Sequence, residues 1–225
     1  MVAVIEVENV SKAFFGAPVI MDMSLSVQAG DALGIVGPNG AGKTTLLNLI
    51  AGDLDPDEGR IILDGRDVTA VSPNQRCRSG LARTSQVPRP FEGMTVLENV
   101  LVGATYGRPE LQREKERVDV AVDALERTGM LAKANTSAGA LPLLDRKRLE
   151  LSRALATSPR VLLLDEIAGG LTEAEVNDLV ALVKSIHDDG VTIVWIEHIV
   201  HALMAVVNRI MAMSFGTKIA EGDPD

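Results

Sequence analysis

A glycine-rich turn between a strand and a helix constrains the fold more than any other feature of this sequence. Residues 37–44 read Gly-Pro-Asn-Gly-Ala-Gly-Lys-Thr and satisfy the pattern G-x-x-x-x-G-K-[ST]. The apolar run Ala32–Val36 predicts a strand before the turn, and Lys43–Ala51 predicts a helix after it that ends at Gly52. Such a turn presents backbone N–H groups to negative charge, and the helix N-terminus adds partial positive charge. We therefore predict a site for the phosphates of ATP or GTP.

Within this site, we expect Lys43 to reach the β- and γ-phosphates and the Thr44 hydroxyl to ligate Mg²⁺. A chance glycine turn is the alternative, but the complete pattern in its required context disfavours it. The predicted phosphate-binding residues are consecutive in the sequence: Gly37, Pro38, Asn39, Gly40, Ala41, Gly42, Lys43, Thr44 and Thr45.

Two carboxylates follow a second buried strand. Val161–Leu164 is a continuous apolar run, as expected of a central parallel strand covered on both faces. Asp165 and Glu166 come next, at the sheet edge where doubly wound folds bind ligands. We predict that Asp165 holds Mg²⁺ through its waters and that Glu166 is the general base for an attacking water. The alternative is an ordinary pair of carboxylates at a strand end.

A histidine ends a third predicted strand. Val191–Ile196 predicts another buried strand, and the run VTIVWIEH ends at His198, which would face the same crevice. An imidazole there can hydrogen-bond a γ-phosphate. Alone, His198 would be interpreted as a solvated histidine, and its place beside the other two motifs favours the functional role. His187 and His201 have no such placement and are predicted to be surface or packing residues.

The remaining patterns predict an α/β protein. Strands are predicted at Val2–Val7, Leu25–Gln28 and Arg60–Leu63, the last followed by an Asp64-Gly65 turn. The last third alternates strand and helix, which implies a parallel sheet. There Thr172 and Glu175 form a capping box for a helix, whose predicted buried face is Val176, Leu179, Val180, Val183 and Ile186.

The middle of the chain differs from its two ends. Residues 88–144 are predicted to be mostly helical, and one amphipathic helix ending at Gly129 has Val118, Val122 and Leu125 on its apolar face. We interpret this region as a helical subdomain inserted between two halves of the sheet.

Composition narrows the classes of function. The 225 residues suit one domain, and the net charge of −9 argues against a nucleic-acid surface. The single cysteine, Cys77, cannot form an internal disulfide. The N-terminus lacks the pattern of a signal peptide, and charged residues interrupt the most apolar region, 191–215, before it reaches the length of a membrane span.

The order of these motifs resembles the ATP-binding cassette (ABC) ATPase family across the whole chain. The resemblance implies one domain over residues 1–225, a P-loop NTPase fold with a RecA-like core, an N-terminal antiparallel β subdomain and the helical subdomain at about 88–144. It also implies that Gln86 contacts Mg²⁺ and the attacking water, and that Phe15 stacks on adenine. For Phe14 or Phe15, packing in the core is the alternative.

Two stretches, LARTSQVPRPFEGMTVLENVLVGA and RLELSRALATSPRVLLLDEIAGGLTEAE, look most like the ATP-binding subunits of branched-chain amino acid importers. Importers of urea or short amides have similar subunits. The resemblance implies ATP and Mg²⁺ as cofactors, integral membrane permeases and a second ABC ATPase subunit as partners, and a periplasmic or extracellular substrate-binding protein that acts through the permease. The expected location is peripheral, on the cytoplasmic face of the cell membrane. The alternatives are a soluble ABC ATPase without transport function and a regulatory subunit with little turnover.

The sequence departs from the family in two places. The LSGGQ-like signature is replaced by Leu141-Pro142-Leu143-Leu144-Asp145, and Ile167 stands where a proline usually follows the catalytic glutamate. We predict that Asp145 caps a helix beginning at Arg146 and puts a carboxylate where the opposite subunit's γ-phosphate docks. The ATP site that this segment completes on an opposite subunit would then bind its γ-phosphate weakly, and the functional unit would be a heterodimer. The alternative is that a rearranged backbone lets Leu141–Asp145 bind that phosphate adequately. A permease groove is predicted near Val87–Asn99, with simple packing of the helical lobe as the alternative.

Overall fold

The computed structural model describes residues 3–224 and builds them around two β-sheets. The elements follow in the order β1 (Ala3–Phe14), β2 (Ala17–Gln28), β3 (Ala32–Val36), α1 (Lys43–Ala51), β4 (Glu58–Leu63), β5 (Arg66–Asp67), α2 (Pro73–Arg78), β6 (Leu81–Arg83), α3 (Val96–Gly107), α4 (Glu114–Arg127), α5 (Leu143–Leu155), β7 (Val161–Asp165), α6 (Glu173–Asp188), β8 (Thr192–Ile196), α7 (Val200–Met204), β9 (Arg209–Ser214) and β10 (Thr217–Gly222). Two 3₁₀ turns, Leu131–Lys133 and Ala138–Ala140, lie between α4 and α5.

The first sheet is antiparallel, in the order β2-β1-β4-β5. The strands predicted at Val2–Val7 and Leu25–Gln28 are parts of longer strands, because β1 and β2 keep pairing to the tip of their hairpin through several irregularities in register. Val2 itself lies outside the described residues. The predicted Arg60–Leu63 strand lies within β4, and left-handed Asp64 and Gly65 turn the chain into β5.

The second sheet has the order β10-β9-β3-β8-β7-β6 and is parallel except for the β9–β10 hairpin. β3 and α1 have the predicted bounds, β7 runs one residue further to Asp165, and β8 starts one residue later than predicted. Because parallel strands point the same way, the carboxyl ends of β3, β8, β7 and β6 lie side by side along one edge.

Apolar residues cover both faces of this sheet. On one face, Leu162, Leu164 and Trp195 pack in a core shared with α3, α4, α5 and α6. On the other face, Leu163 and Val194 join α1 and the antiparallel sheet. Because side chains alternate between two buried faces, both faces of β7 and β8 are apolar over Val161–Leu164 and Ile193–Ile196.

The region 88–144 contains α3, α4 and the two 3₁₀ turns, as its predicted helical character requires. Its predicted end falls inside α5, and its core is continuous with one face of the parallel sheet. The division into subdomains stays a prediction. On α4, the prediction of the buried face was partly wrong, since Val118 and Val122 are only half-buried while Ala121, Ala124 and Leu125 are buried.

The capping box of α6 is confirmed, with Thr172 Oγ1 accepting from Glu175 N and Glu175 reaching back to Thr172 N. Of its predicted apolar face, Val180 is half-buried, and Leu182 is a buried residue that the prediction missed. Within residues 3–224, no helix combines the length and the apolar character needed to cross a bilayer.

A buried arginine on α2 ties the phosphate-turn helix to the rest of the fold. Arg76 is fully buried and donates to Leu49 O at 2.8 Å and Ile50 O at 2.9 Å, in the last turn of α1. It also donates to Val71 O at 2.9 Å and Thr69 O at 3.0 Å. Carbonyls at a helix C-terminus lack partners within the helix, so Arg76 satisfies groups that burial would otherwise leave unpaired.

Substitution of Arg76 by methionine should therefore destabilise the fold. We expect Arg76→Met to lower the free energy of unfolding by about 3 kcal/mol, because several buried carbonyls lose their donor. Urea denaturation measures this. Arg78→Met, an exposed change on the same helix, should stay within about 0.5 kcal/mol of wild type, and equal losses from the two variants would contradict the assignment.

Candidate functional site

The glycine-rich turn opens a cleft at the end of β3. Left-handed Gly42, with φ 94°, leads directly into α1, and a Cβ there would lie 2.8 Å from Val19 O and from Ile20 Cδ1. Only glycine fits this position without strain. The cleft has a volume of about 730 Å³. Its lining residues are Val19, Asn39, Gly40, Ala41, Gly42, Lys43, Thr44, Thr45, Gln86, Glu166 and His198.

Lys43 is held inside the turn. Its side chain is 5% exposed, and Nζ donates to Gly37 O at 2.7 Å and Pro38 O at 3.1 Å. Burial lowers the pKa of Lys43 from its ordinary value, while the charges of Glu166 and Asp165 act in the opposite direction. Phosphate oxygens that enter the cleft can replace the two carbonyls as partners of the ammonium group.

The predicted metal ligands share an adjoining cleft of about 490 Å³, lined among others by Thr44, Gln86 and Asp165. Thr44 Oγ1 lies 3.3 Å from Asp165 Oδ1. One carboxylate with neutral oxygens, beside a space for phosphate, is the kind of donor set that suits Mg²⁺. Arg83 pairs with Asp165 Oδ2 at 3.0 Å and with Asp53 Oδ2 at 2.6 Å. The sequence prediction missed Arg83, although its position at the end of β6 was a signal.

The three predicted catalytic side chains meet at Glu166. Its carboxylate accepts from Gln86 Nε2 at 2.6 Å and lies 2.7 Å from His198 Nε2. The backbone of Glu166 is left-handed, with φ 47°, and its N–H donates to Ile196 O at 2.9 Å. This turn directs the side chain along the sheet edge, where the loops after β6 and β8 bring Gln86 and His198.

His198 lies two residues beyond β8, so its prediction as the strand's last residue was wrong. The intervening Glu197 is 3% exposed and accepts from Ala168 N at 2.6 Å and His198 N at 3.2 Å. These bonds bend the chain out of the sheet before the histidine. Nothing in the apolar pattern indicated a role for Glu197. His187 and His201 lie away from the cleft, and the ring of His187 is within 3.0 Å of Gly30 O.

Phe15 occupies the tip of the β1–β2 hairpin with a left-handed backbone, φ 51°. Its side chain is fully exposed, which excludes the alternative that it packs in the core. The structure does not bring Phe15 into the lining of the cleft, whereas Val19, four residues later, lines it.

The signature segment differs from the prediction. Helix α5 begins at Leu143, with Pro142 at its N-cap, and not at Arg146. Asp145 is 5% exposed within the first turn and forms an ion pair with Lys133. The prediction that Asp145 caps a helix beginning at Arg146 was therefore wrong, because a cation twelve residues earlier in the chain pairs with the Asp145 carboxylate inside the first turn.

The free end of α5 still has an unusual surface. Arg146 N donates to Pro142 O at 3.0 Å, and within residues 3–224 the amides of Leu143, Leu144 and Asp145 make no hydrogen bond to the protein. Leu143 is exposed at this end, and no hydroxyl accompanies it. Ile167, which replaces the family's proline, is buried in the core.

Comparisons with known proteins agree with these observations. The sequence matches the ABC transporter family over residues 20–169. A high-affinity branched-chain amino acid transport ATP-binding protein of Pseudomonas aeruginosa is 34% identical over 235 residues, covering 99% of this chain and 92% of the relative. An Escherichia coli protein of the same description is 34% identical, covering 98% and 92%. A probable branched-chain amino acid transport ATP-binding protein of Methanocaldococcus jannaschii is 33% identical, covering 97% and 89%.

Solved structures give the same result. The chain superimposes on the ADP conformation of an ATP-binding cassette of an ABC transporter with a TM-score of 0.90 and 32% identity, covering 99% of this chain and 92% of that one. A nucleotide-free cassette gives a TM-score of 0.89 at the same identity and coverage. These matches confirm the predicted fold, and the protein belongs to the ABC transporter family as one of its ATP-binding, ATP-hydrolysing subunits.

Proposed function

We propose that this subunit hydrolyses ATP in the 730 Å³ cleft to energise the import of branched-chain or related amino acids, urea or short amides through a membrane permease. The observation that carries the proposal is the Glu166 carboxylate, held between Gln86 at 2.6 Å and His198 at 2.7 Å beside the phosphate turn. The choice of cargo is supported by the names of the relatives. The alternatives, a soluble ABC ATPase and a regulatory subunit with little turnover, find no support in those names.

Each residue at the cleft has a task in this mechanism. Lys43 and the N-terminus of α1 bind the phosphates. Thr44, Asp165 and Gln86 would hold Mg²⁺, which neutralises phosphate charge when bound. Glu166 accepts the proton of the attacking water, since its carboxylate faces the cleft and is anchored from both sides. His198 donates to the γ-phosphate.

Two further residues are proposed to act near the nucleotide, Phe15 at the adenine and Arg83 beside the metal site. Exposed Phe15 is free to stack on adenine at the outer end of the cleft, next to the strand that carries Val19. Arg83 pairs with Asp165 Oδ2 at 3.0 Å and would compete with Mg²⁺ for that carboxylate.

The permease is proposed to bind the segment Val87–Asn99 and the cleft beside it. Val87, Phe91 and Met94 are exposed there, and Arg153 stacks on Phe91 with its guanidinium 5.0 Å from the ring centre. The adjoining cleft of about 360 Å³ lies between α2, α3 and α5 and includes Tyr106, which is 68% exposed. Docking here would hold the subunit at the cytoplasmic face of the membrane, while a periplasmic or extracellular binding protein delivers cargo to the permease.

Cross-linking can locate this surface. Cys77, the only cysteine, lines the same cleft and is first replaced by alanine. In that background, Val87→Cys or Tyr106→Cys carrying a photoreactive maleimide should cross-link to the permease in assembled transporters. Ile219→Cys, exposed on β10, is the control and should not. The reverse pattern would place the permease elsewhere.

The second ATPase subunit is proposed to be a different chain. In such assemblies the end of α5 faces the nucleotide bound by the opposite subunit. Pro142 offers neither a hydroxyl nor an N–H, and exposed Leu143 adds bulk before the free amides of the first turn. The phosphate turn of this chain has its complete motif and lines the cleft. An efficient ATP site on this chain therefore requires a partner subunit that carries an LSGGQ-like signature.

This asymmetry predicts the behaviour of the isolated chain. A Glu166→Gln variant, which is expected to bind ATP without hydrolysing it, should remain monomeric with ATP and Mg²⁺ when measured by light scattering. Adding Pro142→Ser and Leu143→Gly should produce ATP-dependent homodimers, because the helix end then offers a hydroxyl and open amides. A stable homodimer with the natural signature, or cooperative ATPase activity from it, would contradict the heterodimer.

Turnover itself depends on Glu166. In membrane vesicles containing the assembled transporter, Glu166→Gln should lower ATPase activity by about 10²–10⁴-fold, because it removes the base and keeps the shape. Uptake of radiolabelled leucine, with urea and acetamide as competitors, should be lost with it. Calorimetry should show unchanged ATP affinity for Glu166→Gln and weakened affinity for Lys43→Ala, the control that loses a phosphate contact. Normal turnover by Glu166→Gln would exclude it as the base.

A further inference from the structure

A buried glutamate lies beside the catalytic loops and has no task in the mechanism above. Glu197 is 3% exposed and stands between the end of β8 and His198, outside the residues that line the phosphate cleft. Burial raises the pKa of Glu197, and hydrogen bonds from neighbouring backbone N–H groups lower it. Because a carboxylate is costly to remove from water, the partners of this side chain show what it stabilises.

Both oxygens of Glu197 accept hydrogen bonds from backbone N–H groups, and the two donors belong to different loops. Oε1 accepts from Ala168 N at 2.6 Å, and Oε2 accepts from His198 N at 3.2 Å. Ala168 lies in the loop between β7 and α6, two residues after Glu166, whereas His198 lies in the loop after β8. One buried side chain therefore joins the loop of the proposed base to the loop of the histidine.

Glu197 also acts on the backbone conformation of Glu166. That residue is left-handed, with φ 47°, and its chain segment makes two hydrogen bonds to the end of β8. Glu166 N donates to Ile196 O at 2.9 Å, and Ala168 N donates to the Glu197 carboxylate. A strained conformation persists where surrounding contacts fix it. Ile196 and Glu197 supply such contacts on the segment that contains Glu166.

The contact between the two catalytic side chains depends on these backbone positions. His198 Nε2 lies 2.7 Å from Glu166 Oε1. The Glu166 side chain extends from the strained backbone, and the His198 side chain extends from a residue whose N–H is bound by Glu197. A shift of either loop would change the separation of the two side chains, and small displacements of catalytic groups lower reaction rates steeply.

We propose that Glu197 is a positioning residue for ATP hydrolysis, whose carboxylate sets the Glu166–His198 contact by accepting hydrogen bonds from Ala168 N and His198 N. The proposal rests on the catalytic roles proposed above for Glu166 and His198. A carboxylate suits this task because each of its two oxygens accepts, whereas the amide of a glutamine has one accepting oxygen and one donating nitrogen.

Glu197→Gln tests the proposal, since it keeps the size of the side chain and loses one of the two bonds. In vesicles with the assembled transporter, we expect kcat for ATP to fall at least about tenfold, as for misplaced catalytic groups. ATP affinity of the purified chain should stay within about twofold, because Glu197 does not line the cleft. Should Glu197→Gln fail to fold, Glu197→Asp keeps the charge, cannot reach both donors, and has the same expected result.

Glu175→Gln is the matched control. The Glu175 carboxylate also accepts two hydrogen bonds, from Thr172 N and Thr172 Oγ1 at 2.9 Å each, at the far end of the loop that contains Glu166. Its kcat should equal that of wild type, because the change leaves the Glu197 bonds in place. Normal kcat in Glu197→Gln, or an equal loss in Glu175→Gln, would overturn the positioning role.

Nuclear magnetic resonance of the purified chain gives a readout that is independent of turnover. The sequence has three histidines, and His198→Gln assigns the His198 ring signal in a histidine-labelled sample. In the otherwise wild-type chain, Glu166→Gln should displace that signal, because it changes the group 2.7 Å from the ring. In the Glu197→Gln background the displacement should be smaller by at least about half, since the two residues are then less strongly coupled.

Equal displacement in the two backgrounds would overturn the proposal even if kcat falls. Failure of the proposed function has a different result, because normal turnover by Glu166→Gln would remove the base itself and would leave the spectra of the Glu197 variants unaffected.

Discussion

Parallel pairing of β6, β7, β8 and β3 is the constraint on which the site depends. These strands come from distant parts of the sequence, and each ends next to the phosphate turn or to candidate site residues. Since parallel strands end at a common edge, their pairing brings the four loops to one place, where Gln86 and His198 contact Glu166. The backbone positions of these loops, which strand pairing leaves open, are then fixed by hydrogen bonds that Glu197 accepts from Ala168 N and His198 N and that Glu150 accepts from Ser85 N.

The local elements were the predictable part of the structure. The bounds of β3 and α1 follow from an apolar run, a glycine turn and a terminating Gly52, all within 21 consecutive residues (32–52). The convergence of Asp165, Glu166 and His198 on the phosphate turn could also be predicted, because strand-end positions in an α/β fold determine it.

The buried positions of Asp145 and Arg76 could not be predicted from the sequence, because each depends on a contact with residues distant in the chain. Asp145 reads locally as a helix cap, and only Lys133, in a separate 3₁₀ turn, explains why it lies buried within α5. Arg76 reads as a surface cation on a short helix, yet it satisfies carbonyls more than twenty residues earlier. In both cases the deciding interaction belongs to the tertiary structure, where propensity and periodicity carry no information.

The left-handed backbone at Glu166 has a consequence for how this protein tolerates change. Among the other non-glycine residues with φ near +50° in the part of the chain that the structure describes are Asn9 and Asp22, inside strands β1 and β2, and Asp64, in the turn after β4, whose short polar side chains suit that conformation. A glutamate gains nothing comparable and holds the conformation at an energetic penalty of roughly 1 kcal/mol or more. Glycine would relieve the strain and would remove the proposed base. Selection for stability alone would thus favour replacement of this residue, and the proposed role of Glu166 as the base is a reason to keep it despite the strain.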